Sequence, residues 1–139
     1  MDINEFMVGD LAEVVSSDHI KYVRVLEIYE TSVLVEDTNK EWEDEEIDIA
    51  NIKPIPLTEE FFENNGIKKV NDLLVKPNVM FESEDKRIIV TDITNSGDGY
   101  WDVHIDNEDY ETIGGCDVKY VHQFLQLLRL CGYEMDVVV

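Results

Sequence analysis

Asp102, His104 and Asp106 alternate with Trp101, Val103 and Ile105. In a β-strand, residues two apart share a face. The spacing therefore aligns two carboxylates and an imidazole, with Asp98 in the loop just before them. Carboxylate oxygens suit hard divalent cations and imidazole suits transition metals, so such a set can serve a metal-dependent enzyme. The plain alternative is the wet side of an antiparallel strand, which alternates in the same way by default. Asp92 to Val103 does not make a calcium loop of the EF-hand type, because Val103 stands where a bidentate Glu is required.

Glu41, Glu43, Asp44, Glu45, Glu46 and Asp48 form a dense acidic run, with Glu36 and Asp37 close by. It can dock a basic protein or imitate the charge of a nucleic acid. Charges on a strand edge also block sheet aggregation, which is the plainer role. His122, Gln123 and Gln126 form the polar side of a helical stretch and are expected as an exposed stripe open to a binding role. The plainer role for His122 is a hydrogen bond at the helix start.

Zinc is not expected, since His19, His104, His122, Cys116 and Cys131 include no close pair. His122 and Cys131 lie nine residues apart on one helix. At about 100° per residue they point to opposite sides. There is no G-x-S-x-G, and no Gly-rich loop followed by Lys and Ser or Thr. Carboxylate pairs are plentiful, but a catalytic pair needs surroundings that split its two pKa values. The expectation is no catalytic residue, no metal ligand and no cofactor.

The elements that must position these groups follow from turn residues and periodicity. Short strands are expected at Val8–Val15, Tyr22–Tyr29, Ser32–Asp37 and Glu41–Glu43, with a last one over Ile52–Ile55. Five strands in so short a span predict a small SH3-like β-barrel over residues 1–57, because closing the sheet hides its edges. Residues 58–139 are expected to hold a linker helix, an antiparallel meander and a C-terminal helix packed on it, giving an α+β fold. Thr58 is placed to cap the linker helix, Glu59 and Glu60 suit its first turn, and Gly66 suits its stop.

Strands are expected at Asn78–Ser83, Lys86–Thr94, Tyr100–Asp106 and Tyr110–Ile113, with Gly114-Gly115 breaking the meander. Asp117 is expected to cap a helix over Val118–Cys131, with Val121, Phe124, Leu125 and Leu128 on its apolar face. Cys131 reads as a small core residue. Tyr133–Val139 is expected as a final strand or a docked tail.

The chain has 139 residues, 44% of them hydrophobic, enough for a core without metal or disulfide support. Its 32 Asp and Glu outweigh 11 Lys and Arg, for a net charge of −21. That balance repels nucleic acid phosphates and anionic lipid, so direct nucleic acid or membrane binding is disfavoured. The opening residues lack a signal-peptide pattern, and the two cysteines are not spaced as a disulfide framework. A cytoplasmic protein with free thiols is expected.

Ile52-Lys53-Pro54-Ile55-Pro56-Leu57-Thr58-Glu59-Glu60-Phe61 resembles the I-x-P-I-P-L-T-E-E segment of a family of small uncharacterised proteins from Bacteroidota genomes, prophages and mobile elements. Lys119-Tyr120-Val121-His122-Gln123 resembles the K-Y-V-H-Q start of that family's C-terminal helix. Met7-Val8-Gly9-Asp10-Leu11 is similar to its opening, with Asp10 standing where Asn is usual. The resemblance implies a phage or mobile-element setting. Three functions are compatible with these readings. The first is a non-enzymatic accessory protein that binds a protein partner, a basic one being favoured by the acidic balance. The second is an acidic DNA-mimic inhibitor of a nucleic-acid-processing or defence enzyme. The third is a metal-dependent enzyme using Asp102, His104 and Asp106.

Overall fold

The computed structural model describes residues 6–15, 20–40, 43–70, 80–92, 99–133 and 135–139. The chain divides into two compact units, Met1–Ile55 and Pro56–Val139. It is α+β, with an antiparallel sheet in each unit and one main helix near the C-terminal end.

The first unit holds β1 (Leu11–Val15), β2 (Ile20–Ile28), β3 (Ser32–Asp37), β4 (Glu45–Asp48) and β5 (Ile52–Lys53). Their spatial order is β4-β3-β2-β1-β5. Alternation selects the buried face. Val33 and Val35 of β3 and Val23 and Val25 of β2 are fully buried, and they pack with Phe6, Ala12 and Ile52. A bulge between Val25 and Glu27 resets the register, so that Val25 faces Val35 and Ile28 faces Val33. Between β4 and β5 the chain makes a single 3-10 turn, Ile49–Asn51, which Asp48 caps by accepting the Ala50 N–H at 2.9 Å.

The closed barrel expected for this unit is not found, because the sheet is open. β4 and β5 are its opposite edges, and they do not pair with each other. With two residues, β5 has few backbone groups to offer, and they face β1. The expected fourth strand also lies elsewhere: β4 begins at Glu45, Glu43 precedes it, and Glu41 lies outside the described residues.

The second unit begins with α1 (Glu59–Asn64), which Thr58 caps by accepting the Phe61 N–H on its hydroxyl at 3.1 Å. Gly66 ends the turn after it with φ +77°, a conformation that costs glycine little. A meander follows: β6 (Ile67–Lys69), β7 (Met80–Ser83), β8 (Ile88–Asp92), β9 (Trp101–Asp106) and β10 (Thr112–Val118), in the order β10-β9-β8-β7-β6. α2 (Val121–Leu130) comes last.

An aromatic cluster fills the core of this unit. Phe62 is fully buried, with ring centroids of Trp101 at 5.0 Å, Phe61 and Phe124 at 5.6 Å and Phe81 at 6.0 Å. Edge-to-face pairs at such distances contribute roughly 0.5–1.5 kcal/mol each beyond area burial.

Two boundaries differ from expectation for one physical reason. Gly114 and Gly115 do not break the meander; they lie inside β10, beside a register shift between Thr112 and Gly114. Asp117 does not cap α2, because it pairs opposite Asp102 in the same strand. The backbone from Gly114 to Val118 is used in the ladder with β9, so the helix starts only at Val121, after Tyr120.

Candidate functional site

β4 is an edge strand that pairs only with β3, and Glu45, Glu46 and Asp48 on it are exposed. Glu43 and Asp44, just before it, are exposed too. Ile47 alone turns inward, half-buried against the first core, and anchors the strand. Glu46 accepts a hydrogen bond from the Ser32 hydroxyl at 2.5 Å, and Asp48 caps the 3-10 turn. Among the described residues, no Lys or Arg pairs with any of these five carboxylates. The acidic run thus becomes a solvent-facing strip along one edge of the first sheet.

Asp102, His104 and Asp106 are carried by β9, and the structure separates them. His104 Nε2 lies 3.1 Å from Asp102 Oδ2, and both side chains reach solvent. The ring of His104 crosses to Gly115 on β10, which leaves room for it. Asp106 is buried, and its Oδ1 accepts the Thr112 hydroxyl at 2.9 Å. Its backbone is held from both sides: Asp106 N–H donates to Arg87 O at 2.7 Å, and Arg87 Nε donates to Asp106 O at 2.9 Å. Asp106 therefore fastens the β9–β10 connection, while Asp102 and His104 form a pair beside it. Among the described residues, no group of three His, Cys, Asp or Glu side chains is arranged to hold a metal ion. Asp98 lies outside the described residues.

The exposed stripe expected on α2 is corrected at its first member. His122 is 1% exposed, and its ring stacks on Tyr120 at 5.8 Å and 12°. Gln123 is half-buried and turned back over the helix start, where Oε1 accepts the Lys119 and Tyr120 N–H groups at 2.9 and 3.1 Å. Both residues serve the helix terminus. Tyr120 in turn bridges to Pro56, Leu57 N–H donates to Lys119 O at 3.0 Å, and Trp101 Nε1–H donates to Leu57 O at 3.3 Å. The segments at Pro56-Leu57 and Lys119-Tyr120 therefore meet, and their residues there serve the fold.

A polar knot was not foreseen from the sequence. Asp85 accepts the Tyr133 hydroxyl at 2.6 Å, the Ser83 hydroxyl at 2.5 Å and the Arg87 N–H at 3.1 Å, and the Arg87 guanidinium lies 4.9 Å from the Tyr133 ring centroid. Burial raises the Asp85 pKa, but these hydrogen bonds and the Arg87 charge outweigh it and hold the carboxyl below its ordinary range. Burial, together with the hydrogen bond to Asp85, pushes Tyr133 up to about 12. On β10, burial and the neighbouring Asp117 raise the Cys116 thiol, which makes it a poor nucleophile.

No helix among the described residues is long and apolar enough to cross a membrane. No protein-family model, no curated protein and no solved structure matches the chain.

Proposed function

We propose that this chain is a non-enzymatic, protein-binding accessory module that docks a basic surface of its partner along β4. The phage or mobile-element setting implied by the family resemblance is part of this reading, and so is an open, SH3-like arrangement of the first five strands. The single observation that carries it is the strip Glu43, Asp44, Glu45, Glu46 and Asp48, exposed on an edge strand and the two residues before it, without a Lys or Arg partner among the described residues. Exposed like charges on one strand repel each other, a cost that an opposing basic surface relieves. The polar pair Asp102 and His104 supports chemistry less well, because Asp106 is committed to Thr112.

The test is affinity capture from a host lysate with the wild-type chain and with a Glu43→Lys/Asp44→Lys/Glu45→Lys variant. These three side chains lie outside the core, so the variant keeps its fold. The wild type is expected to retain a basic protein that the variant loses. Equal capture by both contradicts the reading. Release of the captured protein by duplex DNA would identify the strip as an imitation of a phosphate backbone.

A further inference from the structure

Four strands end the two sheets: β4 and β5 in the first, β6 and β10 in the second. A sheet edge offers backbone N–H and C=O groups to any extended chain, and folds block such edges with charge, proline or brevity. Three of these edges are blocked. β4 carries Glu45, Glu46 and Asp48, β6 carries exposed Lys68 and Lys69, and β5 has two residues followed by Pro54. β10 is the longest of the four, at seven residues, and its one charged side chain is Asp117. Gly115, Cys116 and Asp117 are exposed, and among the described residues only β9 pairs with the strand.

The register shift between Thr112 and Gly114 interrupts β10 only at its start. From Gly114 to Val118 the ladder is regular, and Cys116 is its middle residue. This stretch can pair with itself. A two-fold axis at Cys116 opposes Cys116 to Cys116, Gly115 to Asp117 and Gly114 to Val118. Asp117 already faces Asp102 on β9, and in this register it meets a glycine on its other side. An axis at Asp117 would instead set two carboxylates opposite each other, which destabilises a ladder. An axis at Gly115 would carry the pairing into the shifted stretch at Ile113. Apolar surface adjoins the same edge. Ile113 is 46% exposed and Leu130 is 85% exposed, and the residue after Leu130, Cys131, brings its Sγ against Gly114.

We propose that β10 is a self-association edge: a second copy of this chain pairs with it, antiparallel about a two-fold axis at Cys116, and joins the two five-stranded sheets into one. Such an interface uses the same strand from both copies. The charge of −21 on each copy opposes association, and salt screens that repulsion. The dimer therefore tightens as salt is added, opposite in sign to the docking of a basic surface on β4. This inference stands independently of the acidic strip.

The test is sedimentation equilibrium of the full, reduced chain from micromolar to millimolar concentration, at low and high salt. Monomer–dimer exchange is expected, with the dimer favoured by salt. Cys116→Ser is expected to keep the dimer. Cys116→Lys lowers the negative charge of each copy but sets two ammonium groups at the axis, and is expected to weaken the dimer severalfold or more. Cys116 is exposed, so both variants leave the core intact, and the Trp101 indole N–H resonance checks this. In the wild type, amides of Gly114 to Val118 are expected to gain hydrogen-exchange protection with concentration, while those of β6 do not. That measurement decides the matter if Cys116→Lys fails to fold. A monomer under all conditions, a dimer that Cys116→Lys leaves unchanged, or protection gained at β6 instead of β10 overturns the proposal. A dimer that salt dissolves also overturns it, by placing the interface between opposite charges.

Discussion

Asp10 is fully buried, and its backbone and side chain explain how the fold tolerates a carboxylate there. Oδ2 accepts the Met7 N–H at 2.7 Å, Asp10 N–H donates to Met7 O at 3.1 Å, and Val25 N–H donates to Asp10 O at 2.8 Å. The need is for an acceptor, which Asn supplies equally well. Asp10→Asn is therefore expected to change stability by less than about 1 kcal/mol, and Asp10→Ala to cost roughly 1–3 kcal/mol, by urea unfolding. Gly114 answers to sterics instead. A methyl group placed on it overlaps Cys131 Sγ at the end of α2. Gly114→Ala is expected to cost roughly 1–3 kcal/mol, and Cys131→Ala to recover much of that in the double variant. Additive costs would show that the contact does not limit the approach of the helix.

At the scale of elements, what was legible in the sequence was what is decided locally. Thr58, Glu59, Glu60 and Gly66 mark α1 because capping, dipole and left-handed stop all act within a turn or two of the chain. Ser32–Asp37 was legible because its buried residues alternate without interruption. β10 was not, since Gly114-Gly115 carries a breaker's signature and its place in a strand depends on a helix that packs there later in the chain. The start of α2 was misplaced because Asp117 has good capping chemistry, while the decisive acceptor, Gln123, reaches backwards from inside the helix.

Among the candidate residues, the exposure of the acidic strip followed from its composition. The burial of Asp106 and His122 did not, because a strand period or a helix face assigns a direction and not what packs over it. The knot at Asp85 joins a β7–β8 turn to Tyr133, a pairing 48 residues apart in sequence that no local pattern signals. It also makes a pH signature. Tyr133 is raised in the folded state, so the stability it lends is full below the ordinary phenol value of about 10 and is lost as pH climbs through about 12. Asp85 is depressed, so its share is present above about 3.9 and falls away as pH drops through its lower folded value. Denaturant midpoints measured from pH 9 to 12 are expected to fall more steeply for wild type than for Tyr133→Phe. Parallel curves would place the alkaline loss elsewhere.

For the whole molecule, the balance of −21 is a field as well as a sum. Polyanions are repelled at long range, and positively charged proteins are drawn in, with an effect that salt screens over about 10 Å at 0.1 M. Each unit supplies its own core, so neither core needs the surplus carboxylates. The exposed strip on β4 is where that surplus is most concentrated along one element among the described residues. The most direct measurement is the affinity for the captured partner as a function of salt, for wild type and for Glu43→Lys/Asp44→Lys/Glu45→Lys. The predicted result is a wild-type affinity that falls at least tenfold from about 50 to 500 mM salt, with the variant weak throughout and nearly flat. An affinity indifferent to salt, or a variant that binds like wild type, would contradict docking through the acidic edge.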